Sequence, residues 1–404
     1  MNLLIERGFV MVEHQERIIK LQQFLKVQGI EVAVFNLNSD LYYYSGSVQP
    51  LYLVIPAEGT GVLIARKSLE RIRVEAPFLT LETFQNTRDL QRIVADNGWS
   101  GARKIGFTLE NTAYATVMRW MKLFEGAEAV DISWDVRRLR MVKSETELAI
   151  FREAGRRMAE LPRVIRESFR PGMTELELSA VIEHFMRLNG HGGLVRCRRE
   201  GIEMNYGVCS GGRGALAGTK FDGICGGEGL DRAVPYGASW KPIAPGEPVI
   251  LDFAFVYQGY HLDQTRMFYW GVPQPEVVRA LEAMCQVERM IAERLVPGAV
   301  WSEIYDEAVL LAEKLGYGES FMGLGPEKVK FVGHGVGLEL DEPPYLAPRM
   351  NEPIEAGMVL ALEPKVSLPG IGVIGNEDTV IVTESGVEWV TIAPGEMIVV
   401  ANEF

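Results

Sequence analysis

Residues 249–266 read VILDFAFVYQGYHLDQTR, and this stretch places two carboxylates where an ordinary core has none. Residues 249–256 have the length and β-branched content of a buried strand, yet Asp252 interrupts them. Gly259 supplies a turn, after which His261, Asp263 and Thr265 alternate with Leu262 and Gln264 on a return strand. Pairing the two strands as a hairpin lets Asp252 and Asp263 face one side. Two like charges in an apolar site repel each other and lose hydration, roughly several kcal/mol per ion, unless a cation or proton compensates. The stretch therefore predicts a bound metal.

The second half of the chain repeats the idea. In Val359-Leu360-Ala361-Leu362-Glu363 an acid ends an apolar strand, and Glu377-Asp378-Thr379 echoes Asp263-Gln264-Thr265 after a glycine-containing turn. Two such hairpins folded together would bring four carboxylates into one cavity. His334, in Gly333-His334-Gly335-Val336-Gly337, is a fifth candidate ligand, with glycines on both sides to let backbone and ion approach. Each acid alone reads as a salt-bridge partner and the histidine alone as a turn residue. The coincidence of all five argues for an oxygen-rich divalent-metal site rather than a thiolate zinc or iron–sulfur site.

The 404 residues, 47% hydrophobic, suffice for two domains or three. A net charge of −13 leaves no general footprint for nucleic acid or an anionic membrane, and Arg196, Arg198 and Arg199 read as a solvated strand face ahead of the alternative, a local anion site. Four cysteines without CxxC spacing, no leader-like N-terminus and no apolar run near the roughly 20 residues of a membrane span point to reduced thiols in a cytoplasm. Periodicity predicts a helix over 14–28, strands at 32–35, 51–55, 61–65 and 104–107, and helices at 89–96 and 112–123, an α/β arrangement. A composition shift at Val142 opens a second domain. It carries a long helix over 144–169 that Pro162 kinks or divides, a capping-box helix from Thr174 to 189, and helices at 276–294 and 302–315. Residues 190–229 are glycine-rich but lack a phosphate-loop ending or GxGxxG, and read as loops lying close to a site.

The segments LDF, DQTR, GHGVG, LEP and NEDT, in that order, resemble the creatinase, prolidase and aminopeptidase P family, a metallopeptidase family that also includes methionine aminopeptidases. The resemblance covers nearly the whole chain. It implies an α/β creatinase-like N-terminal domain over 1–141 and an α+β pita-bread catalytic domain over 142–404. It also implies that Asp252, Asp263, His334, Glu363 and Glu377 bind two divalent ions (Mn, Co, Zn or Fe), with Glu363 relaying a proton. A homodimer and a peptide or small amide-containing substrate, often with proline second, follow from the same source.

The family pattern fails at two histidines that peptidase members use to shuttle protons. One position falls near Pro235 and the other, seven residues after His334, is Asp341. Asp341, Tyr236, Lys241 and His261 are the candidate replacements. The expectation is thus a metal-dependent Xaa-Pro peptidase-like hydrolase. The alternatives are a relative acting on a small molecule by amidine hydrolysis or elimination, and a binding protein without catalysis.

Overall fold

A computed structural model describes residues 2–199, 201–393 and 395–401. The chain forms two compact units, Met1–Arg140 with Arg198–Gly201, and Met141–Cys197 with Ile202–Phe404.

In the first unit, helices α1 (Asn2–Gln28), α2 (Asn38–Ser45), α3 (Leu69–Glu75), α4 (Thr87–Asp96), α5 (Tyr114–Met121) and α6 (Ser133–Met141) accompany one six-stranded mixed sheet. Its order is β4-β3-β2-β1-β5-β6, from β1 (Val32–Phe35), β2 (Tyr52–Pro56), β3 (Val62–Ala65), β4 (Thr80–Thr83), β5 (Lys104–Phe107) and β6 (Glu128–Asp131). The four inner strands are the apolar runs that the sequence predicts. The two edges, TLET and EAVD, escape prediction because they are half-exposed and lack an apolar run. Arg198 is not solvated as expected. It is buried, with its guanidinium 2.6 Å from Asp40 and 3.0 Å from Glu110, and Arg140 shares the same Asp40 carboxylate at 3.1 Å. Two cations on one buried acid neutralise a charge that burial would otherwise penalise.

The second unit begins with two helices where one is expected. α7 (Glu145–Met158) starts at a capping box in which Ser144 and Glu147 exchange bonds of 3.2 and 2.9 Å, and α8 (Leu161–Ser168) carries Pro162 in its first turn, where a missing N–H costs nothing. α9 (Glu175–Leu188) opens on the predicted Thr174–Glu177 box. α10 (Pro275–Arg294) and α11 (Trp301–Lys314) follow.

Two sheets carry the candidate ligands. The first, β17-β9-β8-β7, is built on the long hairpin β8 (Pro248–Tyr257) and β9 (Tyr260–Trp270), with β7 (Gly207–Gly211) and β17 (Ile398–Val400) at its edges. The second has the order β11-β10-β12-β15-β16, from β10 (Gly333–Gly335), β11 (Glu342–Tyr345), β12 (Val359–Leu362), β15 (Asp378–Thr383) and β16 (Gly386–Trp389). β12 and β15 pair antiparallel as expected, but a further hairpin, β13 (Lys365–Leu368) and β14 (Gly372–Gly375), is inserted between them. Val277, Met284 and Val287 of α10, Trp301 of α11, Leu360 and Leu362 of β12 and Val380 of β15 belong to one buried core, each fully removed from solvent. Burial is worth about 1.5–3 kcal/mol for a large aliphatic side chain, so this core fixes the sheet that presents the acids.

Candidate metal centre

The β8–β9 register opposes Asp252 to Thr265 and Ala254 to Asp263. Residues two apart on a strand share a face, so both aspartates point to the same side, as diagonal neighbours. Thr265 and Glu377 form an isolated bridge whose N–H···O bonds are 3.2 and 3.3 Å, and this bridge ties the first hairpin to the second. Glu377 immediately precedes β15, Glu363 immediately follows β12, and Leu362 pairs with Asp378. His334 comes from β10, opposite Ala361. Each ligand candidate therefore sits on or beside a paired strand.

The glycines around His334 have a different purpose from the one expected. Side chains alternate along a strand, so Gly333 and Gly335 point away from His334. A Cβ on Gly333 would lie 2.7 Å from the Ala361 carbonyl, and one on Gly335 would lie 2.4 Å from that of Pro343. They let β10 fit between β11 and β12, and metal approach is not what requires them.

Asp263, His334 and Glu377 each offer a ligand atom, all within 4.8 Å of one another. His334 Nδ1 lies 3.1 Å from the Gly335 carbonyl, which can only accept, so that nitrogen carries the proton and Nε2 faces Glu363 Oε1 at 3.4 Å and Asp263 Oδ2 at 3.9 Å. Glu377 Oε2 accepts from Thr265 Oγ1 at 2.8 Å, whereas its Oε1 is buried without a hydrogen-bond partner among the described residues. Thr379 acts one step back: its hydroxyl donates to the Asp263 carbonyl at 2.8 Å and accepts the Asp263 N–H at 3.1 Å, fixing the main chain rather than the carboxylate. An imidazole and two carboxylates, one of them with an orphaned oxygen, suit a divalent metal with oxygen and nitrogen preference.

The sequence reading did not single out Lys365. Its Nζ lies 2.8 Å from Glu363 Oε2, 2.9 Å from Glu377 Oε2 and 3.2 Å from Asp252 Oδ2, and its side chain is 1% exposed. Glu363 and Pro364 lie between β12 and β13, so strand alternation does not carry over to Lys365, and its approach to the acids depends on that turn.

The cluster's electrostatics follow from burial and crowding. Burial, then the Asp252 charge, pushes Asp263 up to about 7, and burial with Asp263 lifts Glu377 well above the carboxylate range. Burial acts the same way on Glu363, but Lys365 and His334 outweigh it and bring the carboxyl down to about 2. Burial disfavours charge on Lys365 too, and Asp252, Glu363 and Glu377 reverse that, holding the ammonium firmly protonated.

Of the candidate shuttle replacements, His261, Tyr236 and Lys241 are already engaged. His261 is fully buried, its Nδ1 donating to the Gly337 carbonyl at 2.8 Å and its Nε2 accepting the Arg196 N–H at 2.9 Å. With both nitrogens taken by main chain, it pins loops together and has none left for a substrate. Tyr236 donates to the Glu203 carbonyl and lines a groove with Lys220, Arg232 and Glu327. Lys241 bonds Glu247 at 2.7 Å and the Gly211 carbonyl at 3.1 Å. Asp341 is half-buried; against burial, the hydrogen bond and charge of Glu363 raise the pKa of His334 well above the usual imidazole value, and the Asp341 charge adds to them.

His191 repeats the arrangement of His261: Nε2 donates to the Ala254 carbonyl at 3.1 Å and Nδ1 accepts the Gly193 N–H at 2.8 Å. Burial lowers its pKa, against the Ala254 bond. A base whose folded pKa is depressed loses stability as pH falls below its unfolded value, about 6.5, because the unfolded chain then binds a proton that the folded one refuses. The melting temperature of the wild type is therefore expected to fall more steeply between pH 7 and pH 5 than that of His191→Gln. Parallel slopes in a calorimetric pH series would contradict this.

Paired β-hairpins here converge carboxylates and one imidazole on a buried point, a donor set of the kind that binds divalent metals. The chain belongs to Metallopeptidase family M24, whose profile matches residues 149–384, and the Creatinase/Prolidase N-terminal domain profile matches residues 17–142. It is 26% identical over 387 residues to the Xaa-Pro dipeptidase of Pyrococcus horikoshii, covering 95% of this chain and 99% of that one. It is 27% identical over 386 residues to YqhT of Bacillus subtilis, an uncharacterized peptidase, covering 94% and 99%. Among solved structures, the Xaa-Pro dipeptidase from Bacillus anthracis aligns with a TM-score of 0.80 at 26% identity, covering 96% of this chain and 99% of that one. The fold thus joins a creatinase-like N-terminal domain to a pita-bread domain.

Proposed function

We propose that the chain is a metal-dependent peptidase of the Xaa-Pro type, hydrolysing the bond before proline in a short peptide. The observation that carries this reading is the buried donor set of Asp263, His334 and Glu377, with Glu377 Oε1 left without a hydrogen-bond partner among the described residues. These three residues would hold the ion, one of Mn, Co, Zn or Fe. A bound divalent ion supplies a Lewis acid that polarises the scissile carbonyl and lowers the pKa of water. The chain's own groups do the remainder. Thr265 orients the Glu377 carboxylate, and Thr379 fixes the main chain at Asp263. Glu363, with Oε1 3.4 Å from His334 Nε2 and Oε2 2.8 Å from Lys365 Nζ, is the residue this reading assigns to proton relay, starting as the ionised acceptor. The homodimer and the cytoplasmic setting belong to the same reading.

A second reading, a small non-peptide substrate, is favoured by the histidines. Apart from His334, His191 and His261 are engaged by main chain, His14 contacts the Tyr43 carbonyl at 2.8 Å, and His184 is exposed on α9. Positioned acid–base groups contribute ~10²–10⁴-fold, so a peptidase without shuttle histidines must recover that factor by other means. Protein reconstituted separately with Mn, Co, Zn and Fe is expected to cleave Xaa-Pro dipeptides at least roughly tenfold faster than the matching Xaa-Ala set, a difference of about 1.4 kcal/mol in barrier. No turnover of any Xaa-Pro peptide, together with turnover of an amidine or small amide, would transfer the assignment to the second reading.

A further inference from the structure

Lys365 is built into the cluster. An ammonium has three N–H donors, and here three carboxylate oxygens, from Asp252, Glu363 and Glu377, lie within 3.2 Å of it and can take all three. The stem is seated as firmly as the head. Lys365 pairs with Gly375 across the β13–β14 hairpin, and a Cβ at Gly375 would come within 2.6 Å of Lys365 Cγ. The glycine thus clears the path that the lysine stem follows to the acids. Its main chain is anchored as well, the Lys365 carbonyl accepting the Met322 N–H at 2.9 Å.

The five candidate ligands divide around this ammonium. Asp252, Glu363 and one oxygen of Glu377 bond Lys365, whereas Asp263, His334 and Glu377 form the donor triad, with the second Glu377 oxygen unpartnered among the described residues. A divalent ion bound to carboxylate oxygens sits at about 2.0–2.2 Å from each. An ion on the Asp252–Glu363–Glu377 oxygens would therefore stand where Nζ already stands.

We infer that the Lys365 ammonium takes one of the two cation positions of the cluster, so that each chain holds one divalent ion, on the Asp263–His334–Glu377 side. The second positive charge is then a covalent part of the protein. It can donate hydrogen bonds to the carboxylates, but it accepts no lone pair from a water or carbonyl as a metal does. This inference concerns ion count alone and stands apart from the peptidase reading: loss of that reading shows as absent turnover, loss of this one as a changed stoichiometry.

The test is a titration of the full-length protein with Mn²⁺ and Zn²⁺, read by calorimetry and by elemental analysis after desalting, on the wild type, Lys365→Ala and Lys365→Met. Methionine keeps most of the stem and removes the charge. The wild type is expected to saturate at one ion per chain, with the electron paramagnetic resonance spectrum of isolated Mn²⁺. Each folded variant, checked by circular dichroism, is expected to gain one further ion and, with two Mn²⁺ bound, an exchange-coupled spectrum. Two ions in the wild type would overturn the inference, and so would folded variants that gain none. A wild-type count of one supports it even where a variant fails to fold, and a count of none overturns it.

Discussion

Glu377→Gln is expected to lower kcat/KM on an Xaa-Pro dipeptide by at least about 10³-fold, which corresponds to about 4 kcal/mol of lost transition-state stabilisation. Divalent-metal affinity should fall by at least about 10²-fold, since even residues that only orient a ligand cost 10–100-fold when replaced. The stability of the metal-free protein should move the other way or not at all. Burial and the neighbouring Asp263 raise the Glu377 pKa far above that of a free carboxylate, so the ionised folded form is disfavoured near neutral pH. A glutamine of the same shape removes that charge and can keep the oxygen that accepts from Thr265. Kinetics, Mn²⁺ calorimetry and metal-free scanning calorimetry on one preparation give the three readouts. A variant with near wild-type kcat/KM would remove Glu377 from the site. A large drop in metal-free melting temperature would mean that its role is chiefly to hold the two hairpins together through the Thr265 bridge.

The parts of this site that the sequence makes legible are those that offend against the core around them. Asp252 and Asp263 stand out because an apolar strand should not carry them, and strand alternation alone puts them on one face, as the register does. Glu363 and Glu377 were visible as an echo, but the echo suggested a simple hairpin. The inserted β13–β14 pair was missed because KVSL and GVIG are short and share no contrast with their flanks. Missing that pair hid Lys365, whose position depends on the turn. His261 shows the opposite error. Alternation placed it beside Asp263, and its chemistry made it attractive, but which main-chain atoms meet its nitrogens depends on Arg196 and Gly337, distant in sequence. The edge strands β4 and β6 escaped for the reason that edges usually do: half-exposed residues need no apolar pattern.

Arg266→Met is expected to be the most destabilising single change around the centre, although Arg266 offers no ligand. Its guanidinium is buried and donates to the carbonyls of Thr265 at 2.8 Å, Glu377 at 3.0 Å and Ala393 at 2.8 Å, and to Asp378 Oδ1 at 2.6 Å. Only the planar fork of arginine serves so many acceptors at once. Methionine fills much of the same volume, so packing survives and the polar groups do not. Asp378, 6% exposed, would keep its charge with the Thr391 hydroxyl bonded to that oxygen and the arginine gone, beside a Glu288 that burial and Asp378 already hold well above the usual carboxylate range. Removing one partner of a buried ion pair costs about 3–5 kcal/mol, which for a domain of this size is a melting-temperature loss of roughly 10 °C. Arg266→Lys should lie between, keeping the charge and losing the fork. The pair interpretation makes a further demand: adding Asp378→Asn to Arg266→Met should recover part of the loss, because the stranded carboxylate is gone. If the double variant is as unstable as the sum of the two singles, the lost carbonyl bonds account for the effect instead. The Glu377 main chain would then be the element that Arg266 holds in place, and metal affinity should fall together with stability.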